Sequence, residues 1–192
     1  MNLISAPWLI LLAYWAMSAF RVRPTQQAEP AASRLAVMAG VIVGFTLLFG
    51  PWLRSSLLGE RFVPDVPEIR YLGIVLIWVG IGLAIWARYH LGEYWSARVT
   101  IKVDHKLIDS GPYAYIRHPI YSGILLALIG SALAVGKWRA VAAFLLILIV
   151  FVSKARREES MLTGQLGETY REYKNRTGML IPRWKIASHQ AA

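Results

Sequence analysis

The chain has 192 residues, of which 56% are hydrophobic and only 17% are charged, and its mean hydropathy is +0.45. This composition excludes an ordinary soluble domain, because the charges are bunched between long apolar runs as in integral membrane proteins. The net charge of +10 fits loops that flank membrane helices and contact anionic lipid, so we predict no nucleic-acid partner. The absence of cysteine excludes disulfides, thiolate nucleophiles and cysteine metal sites, and no metal is predicted.

Apolar runs separated by loops with proline or glycine predict an all-α integral membrane protein with about five transmembrane helices, in a single domain over 1–192. The first run ends at arginines and not at a small-residue cleavage site, so it predicts a retained helix. The last two runs are shorter than the roughly 20 residues of a spanning helix; a hairpin that does not cross is the alternative, and we favour crossing. The predicted spans are 3–20, 35–53, 71–89, 119–135 and 138–153.

The second run carries Gly40 and Gly44, a spacing that lets another helix approach closely. Lysine and arginine are concentrated in the first loop, the third loop and the tail. Because such residues favour the cytosolic side, this distribution predicts an outside N-terminus and a cytosolic C-terminus. It also places the polar motifs of the third loop and the tail on the same, cytosolic side.

The third loop, between residues 90 and 117, contains the first candidate functional residues. Gly111 and Pro112 indicate a turn, and Pro119 fits the first turn of the fourth helix, where its missing N–H costs nothing. Arg117 and His118 therefore lie at a helix N-terminus. The free N–H groups and positive dipole of such an end suit a carboxylate ligand.

A second polar cluster, residues 154–159, follows the fifth run. If the helix continues, Lys154 and Glu158 share one face, and carboxylates near the membrane boundary need cationic or hydrogen-bonding partners. Apolar residues then recur every four positions, which predicts an amphipathic C-terminal helix over about 154–177 with Gly178 as its C-cap. We expect this helix to cover the site or to lie on the membrane surface.

Taken in order, these segments resemble the isoprenylcysteine carboxyl methyltransferases and the related phospholipid N-methyltransferases. Five elements separated by one helical hairpin carry the resemblance, which covers about residues 89–182. They are His105-Lys106-Leu107-Ile108, Gly111-Pro112-Tyr113, Arg117-His118-Pro119-Ile120-Tyr121, Glu158-Glu159 and Gly167-Glu168-Thr169-Tyr170-Arg171-Glu172-Tyr173.

The resemblance implies a cofactor site for S-adenosylmethionine that is closed by the first glutamate of the pair. An arginine that faces the substrate carboxylate in family members is Lys154 here, with Arg156 or Arg157 as alternatives; we predict Lys154, Arg156 and Glu159 as catalytic residues. The predicted cofactor-binding residues are His105, Leu107, Ile108, Tyr113, Arg117, His118, Pro119, Tyr121 and Glu158.

Methyl transfer to an anion requires little acid–base machinery, only in-line positioning and a dry site. The leading hypothesis is therefore transfer to a lipophilic or membrane-delivered acceptor, such as the carboxylate of an isoprenylcysteine-like substrate, with the bilayer as the other partner. A phospholipid amine or a small thiol is the alternative acceptor. A small transporter or membrane scaffold is the alternative of another class, and the lack of a charged residue at the centre of any predicted span argues against it.

Overall fold

The computed structural model describes residues 3–18, 25–28, 31–50, 56–92, 100–102 and 107–183, with only the backbone described for 25–28 and 100–102. An antiparallel pair of short strands, β1 (Thr25–Ala28) and β2 (Thr100–Lys102), accompanies the helices. The helices are α1 (Ser5–Ser18), α2 (Ala31–Phe49), α3 (Pro67–Leu91), α4 (Pro119–Val135), α5 (Trp138–Leu166) and α6 (Glu168–Arg176).

The helices confirm the predicted α-helical membrane architecture, to which the strand pair is an addition. Helices α2, α3 and α5 are each long and apolar enough to cross a membrane, whereas α1 and α4 are apolar but have only 14 and 17 residues. A total of five crossings therefore stays a prediction.

Two boundaries of the predicted C-terminal helix need correction. Residues 154–166 continue α5, and the chain bends at Gly167, whose φ of 54° is a backbone conformation that side-chain-bearing residues rarely adopt. Helix α6 is therefore a separate nine-residue element. It ends at Arg176 with Thr177 in extended conformation at the C-cap, so Gly178 lies beyond the cap and does not form it.

Helices α3 and α4 pack along a seam of small residues. Gly73 lies against Gly130, and Gly80 lies against Gly123. A Cβ atom added at any of these four positions would lie 2.4–2.5 Å from the carbonyl oxygen of the opposing glycine, well inside van der Waals contact. The two backbones therefore touch, which is the close approach that small residues allow in membrane helices.

Helix α2 packs against α5 in a similar way. Gly40 faces Val150, and Gly44 faces Ile147, so the close helix approach predicted from this glycine pair is confirmed. Arg139 of α5 donates hydrogen bonds to the carbonyl oxygens at the end of α2, including that of Leu48 at 3.0 Å. These carbonyls have no partner within their own helix, so Arg139 caps α2.

The first and third connections between helices pair at one end of the bundle, and the second and fourth pair at the other end. The α1–α2 and α3–α4 connections pair through β1 and β2. The α2–α3 and α4–α5 connections pair through Phe62 N–H to Gly136 O at 3.0 Å and Trp138 N–H to Glu60 O at 3.1 Å. A chain that runs up and down through the bundle produces this pairing, and it places the α3–α4 connection beside the C-terminal segment.

Candidate active site

The segment after α6 lies against the residues that precede α4. Ile116 and Gly178 form a parallel bridge. The N–H of Arg117 donates to Gly178 O at 2.8 Å, and the N–H of His118 donates to Met179 O at 3.1 Å. The N–H groups of these two residues, which precede α4, are therefore bonded to carbonyls, because the extended tail runs alongside them. The carboxylates near this helix end come from α5.

His118 lies between those two carboxylates. Its Nδ1 is 3.3 Å from Glu158 Oε2, and its Nε2 is 3.3 Å from Glu159 Oε1. The side chain is buried, which by itself would lower the pKa of His118, but the hydrogen bonds and charges of Glu158 and Glu159 outweigh burial and raise that pKa. A ring with a carboxylate at each nitrogen is best satisfied as the imidazolium, which donates from both.

Residues of α4 and α5 hold Glu158. The hydroxyl of Tyr121 donates to its Oε1 at 2.7 Å, and Lys154 Nζ lies 4.0 Å from the same oxygen. The ring of Tyr121 stacks on His118 with centroids 5.4 Å apart and lies 5.7 Å from Lys154 Nζ. Lys154 and Glu158 thus share a face of α5, and Tyr121 of α4 contacts both of them.

Glu159 has a different set of partners, which connect it to the C-terminal helix. Arg117 Nε donates to Glu159 Oε1 at 2.7 Å, and Lys174 Nζ lies 3.2 Å from Oε2. Arg117 also donates to the carbonyl oxygens of Lys174, at 3.2 Å, and of Thr177 at the end of α6. Two cations thus neutralise Glu159, whose side chain is 6% exposed, whereas the Glu158 side chain is 19% exposed.

The residues of this cluster come from the start of α4 and the two residues before it, from α5 and from α6, and they follow one another in the order of the sequence motifs. Residues 72–164 match the isoprenylcysteine carboxyl methyltransferase (ICMT) family. The matched region includes all of α4, most of α3 and α5, and every cluster residue except Lys174. The family resemblance predicted from the motifs is thereby confirmed.

Three curated relatives illustrate the range of similar proteins. The protein-S-isoprenylcysteine O-methyltransferase of Schizosaccharomyces pombe is 34% identical over 125 residues, which are 64% of this chain and 52% of the relative. A probable protein-S-isoprenylcysteine O-methyltransferase of Oryza sativa subsp. indica is 31% identical, over 62% of this chain and 65% of the relative. The methanethiol S-methyltransferase of a Pseudomonas species is 30% identical, over 62% of this chain and 48% of the relative. The chain thus spans about half to two thirds of the length of these relatives.

Within the ICMT-family region, the structure gathers six of the predicted site residues and places others apart. Leu107 and Ile108 are half-buried, with Ile108 in an apolar cluster beside α4, and Arg156 is exposed on α5. Tyr113 is buried, and its hydroxyl donates to Ala87 O at 3.4 Å. His105 lies outside the described residues. The gathered residues are Arg117, His118, Tyr121, Lys154, Glu158 and Glu159.

Lys174 is the cluster residue that the sequence analysis missed. Its position in the tail carries no local signal, because it reaches Glu159 only after the bend at Gly167 folds α6 back towards α5. Pro119 is buried at the first position of α4, a position that suits a residue without an N–H.

The raised pKa of His118 gives a testable pH dependence. Because the folded-state pKa lies above the ordinary value of 6.5, the stabilisation by imidazolium is fully present below about pH 6.5. It is lost as the pH rises through the folded-state pKa. We expect the thermal midpoint of the wild type to fall between pH 6.5 and 9 by a few degrees more than that of His118→Asn. Parallel curves for the two proteins would contradict a charged His118.

Proposed function

We propose that this protein transfers the methyl group of S-adenosylmethionine to a lipophilic or membrane-delivered acceptor. The observation that carries the proposal is the partly exposed carboxylate of Glu158, which a histidine, a tyrosine and a lysine hold in place at the end of two apolar helices. The names of the relatives support the reaction class, because all three are methyltransferases although their acceptors differ.

The residues of the cluster fit the charges of S-adenosylmethionine. Glu158, the more exposed of the two carboxylates, supplies an anion for the ammonium group of the cofactor, while the buried Glu159 is engaged by Arg117 and Lys174. Leu107 and Ile108, half-buried just before the turn at Gly111, add apolar surface. When bound, this cofactor supplies an electrophilic methyl group on a sulfonium.

The side chains of this chain then have to bind and align an acceptor and exclude water. Lys154 is buried beside Glu158, and a cation in that position can hold an anionic acceptor while the bilayer limits its hydration. An amine acceptor would need a base to remove its proton. His118 is unsuited to this role, because both ring nitrogens face carboxylates and its pKa is raised. We therefore favour an isoprenylcysteine-like carboxylate over a phospholipid amine.

A small thiol is the second candidate acceptor, and the similarity to a methanethiol S-methyltransferase favours it specifically. A thiolate is also an anion, so the same lysine could hold it. The two acceptors differ in what must be buried beside the anion: an isoprenyl chain in one case and a single methyl group in the other.

The proposal is tested with the purified full chain in detergent or nanodiscs. Calorimetry should detect binding of S-adenosylmethionine, and a labelled methyl group should appear on a prenylated cysteine as a base-labile ester. Label on methanethiol alone would select the thiol, and label on phosphatidylethanolamine would select the amine. A folded protein that neither binds the cofactor nor transfers the methyl group would overturn the proposal.

Lys154 provides a prediction about the charge of the acceptor. Lys154→Arg should retain measurable transfer to an anionic acceptor, because the positive charge is kept. Lys154→Met should raise the acceptor KM or lower kcat while leaving cofactor affinity nearly unchanged. Steady-state kinetics on both variants checks this, with Arg171→Met as a control because Arg171 is exposed on α6. Wild-type kinetics in Lys154→Met would show that Lys154 does not hold the acceptor.

We also propose that the active site faces the cytosol and that the N-terminus lies outside. The support is the concentration of lysine and arginine in the connections at the end of the bundle that carries the site. Reporter fusions at residues 60 and 190 should report opposite sides of the membrane, with the fusion at 190 cytosolic. Reporters on the same side would contradict this topology.

A further inference from the structure

His90, in the last turn of α3, contacts three of the four residues in the turn from Ser110 to Tyr113. Its Nε2 lies 2.9 Å from Ser110 Oγ, within hydrogen-bonding distance. Its ring stacks on the ring of Tyr113, with centroids 6.4 Å apart and planes 22° from parallel. The imidazole also lies against Gly111, where an added Cβ would be 2.8 Å from the His90 Cε1 atom.

The backbone of the turn leaves room for the His90 ring at Gly111. Gly111 has a φ of 58°, so a side chain there would be strained as well as blocked by His90. The hydroxyl of Tyr113 donates to Ala87 O, which belongs to the same turn of α3 as His90. The end of α3 thus holds the turn by three contacts: the His90–Ser110 hydrogen bond, the Tyr113–Ala87 hydrogen bond and the stack of His90 on Tyr113.

This turn connects the half-buried Leu107 and Ile108 to the segment that contains His118. Its other side is also held, because the hydroxyl of Tyr173 in α6 donates to Tyr113 O at 2.7 Å. A shift of the turn against α3 would therefore move both Leu107 and Ile108, which are proposed to add apolar surface to the cofactor site, and the approach to His118.

We propose that His90 is a positioning residue for the methyl-donor site, acting through the Ser110–Tyr113 turn. This role rests on the proposed function. His90 does not join the His118–Glu158–Glu159 cluster; it acts by holding the turn in the geometry that the cofactor needs. Loss of the ring should therefore weaken the cofactor complex and leave the chemistry of the bound complex largely intact.

The test compares variants that remove the contacts one at a time. His90→Phe keeps the stack but cannot bond Ser110, Ser110→Ala removes the same bond from the other side, and His90→Ala removes both contacts. We expect His90→Ala to weaken calorimetric S-adenosylmethionine affinity by about tenfold. His90→Phe and Ser110→Ala should each weaken it by a few fold, and the double variant no further than either, because both remove one bond. Tyr89→Ala, at an adjacent side chain that is 77% exposed, should bind as the wild type does.

A kinetic measurement separates positioning from a merely structural role. Positioning predicts a raised KM for S-adenosylmethionine, a kcat within about threefold of wild type and an unchanged thermal midpoint without cofactor. A lowered thermal midpoint with unchanged KM would overturn the role, as would wild-type affinity in His90→Ala. If the wild type itself binds no S-adenosylmethionine, the proposed function fails first, and this role for His90 fails with it.

Discussion

Replacing Glu158 with glutamine should weaken S-adenosylmethionine binding by roughly tenfold to a hundredfold, the loss expected when one charge-assisted hydrogen bond to a buried ligand is removed. Glutamine keeps the size of the side chain and can still accept from Tyr121, but it cannot neutralise an ammonium group. Calorimetry on the purified protein measures the effect, and the thermal midpoint without cofactor shows whether the variant is folded.

The adjacent glutamate provides a matched control with the same substitution. Glu159→Gln should weaken the cofactor far less, because Glu159 is engaged by Arg117 and Lys174. It should instead loosen the C-terminal helix, seen as faster hydrogen exchange over residues 168–176. If Glu159→Gln weakens the cofactor more than Glu158→Gln and leaves exchange unchanged, the two carboxylates have been assigned in the wrong order.

Valine in place of Gly80 should prevent normal packing of α3 against α4. The new side chain would meet Gly123 O at 2.4 Å, and since the obstacle is backbone, the helices must separate. Overpacking of this kind costs at least about 1–3 kcal/mol, and a helix–helix seam has little freedom to relax. We expect loss of most of the monodisperse protein in size-exclusion chromatography and a thermal midpoint lowered by several degrees or more.

Gly82 is the control for this substitution, because it lies two residues further along the same helix and an added Cβ there meets no atom within 4 Å. Gly82→Val should therefore yield folded protein with a midpoint near that of the wild type. Equal damage from both substitutions would mean that valine disturbs the helix itself, and the seam would then not explain the glycine at position 80.

The division between local and distant contacts explains which parts of the site the sequence could predict. Helical phase places Lys154 and Glu158 on one face, since residues four apart are neighbours on any helix. Pro119 and the left-handed Gly136 set the ends of α4 by local backbone chemistry. The order of the motifs could likewise indicate the family resemblance without any knowledge of how the segments meet.

The different partners of Glu158 and Glu159 could not be predicted in this way. Both residues belong to one motif. The packing of the segment before α4 against α5 gives Arg117 to the second of them, and the path of the tail gives it Lys174. The pairing of the Arg117 and His118 N–H groups with carbonyls of the tail could not be predicted for the same reason. Neither contact leaves a periodic pattern in the sequence.

The sequence by itself determined the helical membrane architecture and the family resemblance and indicated the candidate segments of the site, because apolar run length, helical phase and turn chemistry act between neighbouring residues. The tertiary structure alone decided that Gly73 and Gly80 meet the backbone of α4 and that His90 packs on the Ser110–Tyr113 turn. It alone also decided that α6 folds back from Gly167 to neutralise Glu159. These contacts join residues that are distant along the chain, so they depend on how whole helices pack and on the direction the chain takes after each turn.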